Sequence, residues 1–279
     1  MKLRLSGLCI LLCVLLIFGC AEESTGTFSE NPGVRVTFLN VGKGDAIVIE
    51  TQYQTMLIDT GYGNTFSVID RYLKSRNIQR LDYLVLTHFD KDHVGGADQI
   101  IRRYEIGEIL QPDYEVDTVQ YRQYCAAAEE MSLKPVSVTA PLQLSFDGAS
   151  FYVDPPQQAD YEEEDNDFSL VLSMTYGQNR FLFAGDCQQV RLDELLSQKG
   201  FSLSHQVLKL PHHGKKEDNS EDFIRAVEPE IAVITCSEEK QVSKKLRFML
   251  KLLGAEVYLT SGGAVTCLSD GQTLRVIQE

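Results

Sequence analysis

Histidine is scarce in this chain: there are five in 279 residues, and none between His93 and His205. Basic residues are outnumbered too, with 26 Lys and Arg against 40 Asp and Glu, leaving a formal net charge of -14. That balance argues against a protein that grips nucleic acid through a broad basic face, because phosphate contacts supply most non-specific affinity. A local basic groove or a bound metal still admits a polyanion. No CxxC spacing occurs among the seven cysteines, so neither a zinc ribbon nor a redox motif is expected. Beyond the N-terminus there is no long apolar run, no short internal repeat and no low-complexity tract. The rest of the chain therefore reads as soluble, and with 43% apolar residues it has enough to bury a substantial core.

The first twenty residues read as an export signal. Lys2 and Arg4 form a basic start, and Leu8 to Gly19 form an apolar stretch too short for a hydrocarbon core of ~30 Å. It ends Ile17-Phe18-Gly19-Cys20, and the residues that follow are polar. A small residue before such a cysteine resembles a bacterial lipobox. That implies a lipid on Cys20 and a protein held at the outer face of the cytoplasmic membrane, or secreted if cleavage takes another route. Residues 21–33 read as a flexible tether, and residues 34–279 as one folded domain. With Cys9, Cys13 and Cys20 set aside, Cys125, Cys187, Cys236 and Cys267 are expected to fill buried apolar positions.

Strands are expected at 34–39, 46–50, 55–58 and 83–86, with helices near 64–76 and from 96 to about 104. A strand near 107–110, a helix near 118–131 and short strands to about 153 follow. Residues 154–167, with Pro155, Pro156 and the acidic run Glu162 to Asp165, read as an exposed solvated loop rather than a calcium site. A hairpin is expected from strands 168–175 and 180–184. Strands at 206–210, 231–235, 255–259, 263–268 and 272–277 then enclose helices near 219–227 and 240–253. Grouped strands followed by strand–helix alternation suit two sheets with helices on both outer faces.

Four of the five histidines fall in two short segments. The first, Thr87-His88-Phe89-Asp90-Lys91-Asp92-His93-Val94-Gly95-Gly96, follows an apolar strand and precedes a helix. In extended backbone His88, Asp90 and Asp92 point to one side. Two imidazoles and two carboxylates within six positions suit zinc, manganese or iron. An EF-hand is excluded, since Ile101 stands where the loop from Asp90 needs its closing Glu. The second segment, Pro211-His212-His213-Gly214, also ends an apolar strand. Leu57-Ile58-Asp59 and Phe183-Ala184-Gly185-Asp186 repeat the same form, a strand that ends in a carboxylate. Recurrent strand ends of this kind place their side chains along one sheet edge.

This ordered set resembles the motifs of the metallo-β-lactamase superfamily, and more closely the extracytoplasmic domain of the bacterial competence proteins of the ComEC/Rec2 group. The resemblance runs from about residue 34 to 277 and includes Phe38 to Glu50, Leu86 to Gly96, Asn166 to Leu172 and Val207 to Gly214. It implies a four-layer αββα sandwich with one or two divalent ions, zinc or manganese, at its edge. Asp92 and His93 would then bind one ion, Asp186 would bridge, and His213 or His212 would complete that set. His88 and Asp90 would serve the other ion, while Asp59 and Asn166 would orient ligands from behind. Asp90 stands where the superfamily more often has His, and the usual third-motif histidine is missing. Cys236 to Val242 replaces a segment that the competence group often carries.

Hydrolysis of a phosphodiester outside the cytoplasm is the leading expectation, with DNA, nucleotides or a phosphate-containing wall polymer as substrate. Asp92 would position the attacking water, His212 would stabilise the oxyanion or protonate the leaving group, and Lys209 would offer charge to a phosphate unless it is a surface lysine at a strand edge. Ester, lactone or lactam hydrolysis is the rival chemistry. A lipid-anchored binding protein with a structural metal is the rival of another class. The sequence lacks the series of apolar spans that a membrane channel needs, which argues against DNA import by this chain alone.

Overall fold

Side chains alternate between two cores along the early strands. Ile47 and Ile49 face one cluster together with Val36, Phe38, Phe151, Phe181 and Phe183, while Val48 between them faces another with Leu57, Leu84 and Ile109. A period of two is what a sheet buried on both faces requires. In the computed structural model, which describes residues 33–161, 165–238 and 242–279, these strands build two mixed sheets. The first runs in the spatial order β15 (Leu274–Gln278), β14 (Val265–Ser269), β1 (Val34–Phe38), β2 (Ile47–Glu50), β3 (Thr55–Ile58), β4 (Arg80–Val85), β5 (Glu105–Gln111) and β6 (Val136–Ser137). The second runs β13 (Glu256–Leu259), β12 (Ile231–Ile234), β11 (Val207–Lys209), β10 (Asn179–Phe183), β9 (Val171–Tyr176), β8 (Ala149–Asp154) and β7 (Leu142–Phe146).

The sheets pack on each other through the first cluster. Helices α1 (Phe66–Ser75), α2 (Ala97–Arg103) and α3 (Val119–Glu130) cover the outer face of the first sheet. Helices α4 (Gln189–Ser197), α5 (Ser220–Val227) and α6 (Lys244–Leu252) cover that of the second. This is the four-layer αββα sandwich. Pairs β3–β4 and β10–β11 are parallel, so the loops leaving these strands gather at their C-terminal ends.

Three expectations need correction. Helix α4 was not foreseen. Its inward face carries Arg191 and Glu194 beside Leu192 and Leu195, while Val190 is exposed, so its apolar periodicity is broken by a buried ion pair. The loop at 154–167 is not wholly solvated: Asp165–Phe168 form a 3-10 turn that buries Asn166, Asp167 and Phe168, and the next strand starts only at Val171. Asp167 is held there because its Oδ1 accepts the backbone N–H of Gln188 at 2.6 Å. Cys187, Cys236 and Cys267 are buried, but Cys125 is exposed on α3. The export signal, Cys20 and the tether before Gly33 lie outside the described residues. Among the described residues no helix is long and apolar enough to cross a membrane.

Candidate metal centre

The loops after β3, β4, β10 and β11 deliver Asp59, His88 to His93, Asp186 and His213 to one buried cluster. The backbone there departs from the easy conformations. Asp59, His212 and His213 have φ of 58°, 46° and 52°, a left-handed geometry that costs roughly 1–2 kcal/mol per non-glycine residue. Gly185 (φ 50°) shows why no side chain fits before Asp186: an added Cβ would lie 2.8 Å from Ser169.

Each histidine of the cluster is oriented from behind. His93 Nδ1 donates to Asp59 Oδ2 at 2.7 Å. Thr87 Oγ1 donates to the same oxygen at 2.7 Å, so its remaining role toward His88 Nδ1, 3.1 Å away, is to accept. Thr235 Oγ1 donates to Asp45 Oδ1 at 2.6 Å and therefore accepts from His213 Nδ1 at 2.9 Å. All three rings thus carry hydrogen on Nδ1 and turn Nε2 inward. The Nε2 atoms of His88, His93 and His213 are buried and have no hydrogen-bond partner among the described residues. Carboxylate behind, imidazole between and bare nitrogen in front is the arrangement of metal-ligating histidines.

Carboxylates complete the cluster. Asp186 Oδ2 lies 2.9 Å from His213 Nε2 and 3.3 Å from His93 Nε2, while Asp92 Oδ2 lies 3.6 Å from His213 Nε2. The 2.9 Å approach lacks hydrogen-bond geometry, so nitrogen and oxygen aim past each other toward shared space. Of three sets of ligand atoms that each lie within 4.8 Å, two use the inward atoms, His88–His93–Asp186 and Asp92–His93–His213; the third, Asp45–Asp59–His93, joins the carboxylates behind the rings. Three imidazole nitrogens and two carboxylates fit a divalent cation.

Electrostatics agree. Burial pushes His88 well below the ordinary imidazole range. Burial also opposes charge on His93, but Asp186 and Asp59 outweigh it and raise that group well above the usual value. His213 is raised in the same way, against burial, by Asp186. Burial would raise Asp186 and Asp92, yet His213 and His93 hold both below the usual carboxylate range. The cluster is a cation trap that binds protons where a metal would displace them.

The division of ligands differs from the one that the resemblance implies. His93 is common to both sets, and His88 joins His93 and Asp186. Asp90 belongs to neither: its side chain is 44% exposed, and its Oδ2 stands 4.0 Å from His88 Nε2. His213, not His212, enters a set. His212 is buried at the rim with Nδ1 3.8 Å from Glu217, and burial pushes its pKa down to about 4. Asn166 reaches no member of the cluster directly among the described residues; its side-chain amide donates to Gln188 at 2.6 Å, and its backbone carbonyl accepts from the backbone N–H of Ser169.

Lys209 satisfies neither expectation. It is fully buried, and its ammonium is taken up by Gly185 O at 2.7 Å, Asp186 Oδ1 at 3.1 Å and Asp45 Oδ2 at 2.5 Å. No N–H is left for a substrate phosphate. Asp45 itself escaped sequence reasoning, although it does for His213 what Asp59 does for His88 and His93; only its place after Gly44 at a strand entrance marks it. Lys43 and Tyr62 also escaped notice. Lys43 Nζ lies 3.2 Å from Asp92 Oδ2 with 44% of its side chain exposed. Burial and the neighbouring Asp92 push the Tyr62 phenol up to about 12, which keeps it a donor.

Replacing Asp59 with Asn leaves one carbonyl oxygen where two carboxylate oxygens serve Thr87 and His93, and sets an N–H donor against the other donors. Affinity for zinc or manganese is expected to fall about 10- to 100-fold, read by calorimetric titration; unchanged affinity would show that the orienting bonds are idle.

A two-sheet sandwich whose strand ends converge on buried histidine and aspartate defines a class of proteins built around an edge metal site. The chain belongs to the metallo-β-lactamase superfamily, whose family profile matches residues 39–237. It is 26% identical over 263 residues to ComE operon protein 3 of Bacillus subtilis, covering 88% of this chain and 32% of that protein. It is 30% identical over 224 residues to competence protein ComA of Neisseria gonorrhoeae, covering 79% of this chain and 29% of that protein. The chain therefore spans about a third of the length of these curated relatives. The metallo-beta-lactamase fold protein YhfI of Bacillus subtilis superposes with a TM-score of 0.57 at 12% identity, over 84% of this chain and 99% of that one.

Proposed function

We propose that this chain is an exported metal-dependent phosphodiesterase, held at the outer membrane face through Cys20, whose substrates include nucleic acid or a phosphate-containing polymer. The observation that carries the metal dependence is the trio of buried, partnerless Nε2 atoms on His88, His93 and His213. A bound divalent ion supplies Lewis acidity toward a phosphoryl oxygen and makes water acidic enough, with pKa about 7, to attack at neutral pH. Asp92 and Asp186 hold and orient the reacting water's neighbourhood, and Lys209 fixes Asp186 through its far oxygen. Lys43 at the mouth offers a cation to an anionic oxygen. His212, with a pKa near 4, is neutral at pH 7; it fits a hydrogen-bond donor to developing negative charge better than a general acid. Support for a nucleic-acid substrate comes from the competence relatives, and the net charge of -14 argues against a broad basic face for it.

Metal analysis of the purified chain, paired with hydrolysis of bis-p-nitrophenyl phosphate in added manganese or zinc, tests the proposal. Metal-dependent turnover that is lost in Asp92→Ala and His93→Ala is expected. Absence of bound metal and of turnover overturns the enzyme reading, and hydrolysis of p-nitrophenyl acetate alone transfers it to ester chemistry.

A further inference from the structure

Helix α6 presents a face that the other described residues leave exposed. Leu246, Met249 and Leu250 are buried against the second sheet. On the opposite side Phe248 is 64% exposed and Leu252 is 70% exposed. Lys244, Lys245 and Lys251 are exposed around them; at 3.6 residues per turn all five fall within about a third of the helix circumference. The helix holds Lys244, Lys245, Arg247 and Lys251 and no acid, within a chain of net charge -14.

Helix stability does not account for this. Lys244 and Lys245 occupy the first turn, where the positive end of the helix dipole disfavours cations. Among the described residues, the ion pair seen there is that of Lys245 with Glu221 at 2.5 Å. Nor does the face suit a second copy of the chain. A nine-residue helix is about 14 Å long and about 10 Å wide, a footprint near 140 Å² where a stable partner covers roughly 800 Å². An anionic bilayer needs no such area: it takes aromatic and aliphatic side chains into its headgroup boundary and neutralises flanking lysines. Nucleic acid would use the lysines but leave Phe248 and Leu252 in water.

We infer that α6 rests on an anionic lipid surface, with Phe248 and Leu252 in the headgroup boundary and Lys244, Lys245 and Lys251 against lipid phosphates. The helix starts beside the metal cluster, since the backbone N–H of Ser243 donates to Gly214 O at 3.0 Å. Such docking sets the mouth of the site close to the bilayer, where membrane-linked or membrane-delivered phosphodiesters lie.

The chain has no tryptophan, so Phe248→Trp in the full chain is a sole fluorescent reporter at this face, read independently of the N-terminal segment. Its emission is expected to shift to the blue, and to be quenched by brominated lipid, with phosphatidylglycerol-containing vesicles and not with pure phosphatidylcholine. Adding K244Q, K245Q and K251Q should weaken that partition roughly a hundredfold, at about 1 kcal/mol per lysine. Emission unchanged by either vesicle, or shifted equally by both, overturns the inference. So does a shift that grows with protein concentration alone, which assigns the face to a second copy, or one seen with duplex DNA and not with lipid.

Discussion

Lys209→Met is expected to lower the stability of the chain by about 3–5 kcal/mol, the usual consequence of leaving a buried charge without its partner. Lys209 is the counter-ion for Asp45, which is 1% exposed, and for the far oxygen of Asp186. Burial works against its charge, but Asp45 and Asp186 prevail and raise its pKa. Removing it leaves Thr235 as the hydrogen-bond donor to the Asp45 carboxylate, with His213 and His93 farther off at 3.7 and 4.0 Å, and turns Asp186 toward a cluster already rich in carboxylate. Denaturant unfolding measures the loss. Because methionine fills similar volume, the effect reports charge and not a cavity. Asp45→Asn combined with Lys209→Met should recover part of the loss, since a buried pair removed together costs less than one broken. A Lys209→Met variant within 1 kcal/mol of the parent, a threshold set well under the range for broken buried pairs, would refute this role. If Lys209→Met does not accumulate in folded form, Lys209→Arg keeps the charge and should fold.

Divalent metal is expected to stabilise the folded chain by mass action, by about 4 kcal/mol at a free concentration a thousandfold above its dissociation constant. Only the folded state assembles His88, His93, Asp92, Asp186 and His213 from loops far apart in sequence, so the unfolded chain competes poorly for the ion. Chelation should reverse the gain. The increment should disappear in Asp186→Asn, because one oxygen of Asp186 faces both His93 and His213. Asp90→Asn should give the smaller loss, since that side chain is half-exposed and outside both ligand sets. Protons compete for His93 and His213, whose pKa values the neighbouring carboxylates raise, so the increment should shrink as pH falls. Equal denaturation midpoints with manganese, zinc and chelator would remove the metal from this account.

How much of this was legible beforehand depends on the range of each interaction. Strand ends carrying Asp59, His88 to His93, Asp186 and His213 are written as local patterns, an apolar run followed by a polar ligand. The sandwich followed from the same periodicity. Helix α4 was hidden because Arg191, fully buried, pairs with Glu194 one turn on at 3.0 Å and with Asp154 at 2.7 Å, a partner distant in sequence that no local pattern announces. Lys209 was misread for the same reason: a lysine ending a strand looks solvated until Asp45, far upstream in sequence, is brought beneath it.

The sequence by itself determined the sandwich, the family and the histidine and aspartate types that gather at its edge, since alternation and strand-end residues are local properties. Tertiary structure alone decided that His213 and not His212 faces the cluster, that His93 is shared, and that Asp90 stands apart. It also decided that Asp45 and Thr235 orient one ring as Asp59 and Thr87 orient two others. Those ring orientations rest on hydrogen bonds of 2.6 to 2.9 Å between segments distant along the chain, with one contact between the neighbours Thr87 and His88. Only the folded packing of two sheets brings such groups within reach.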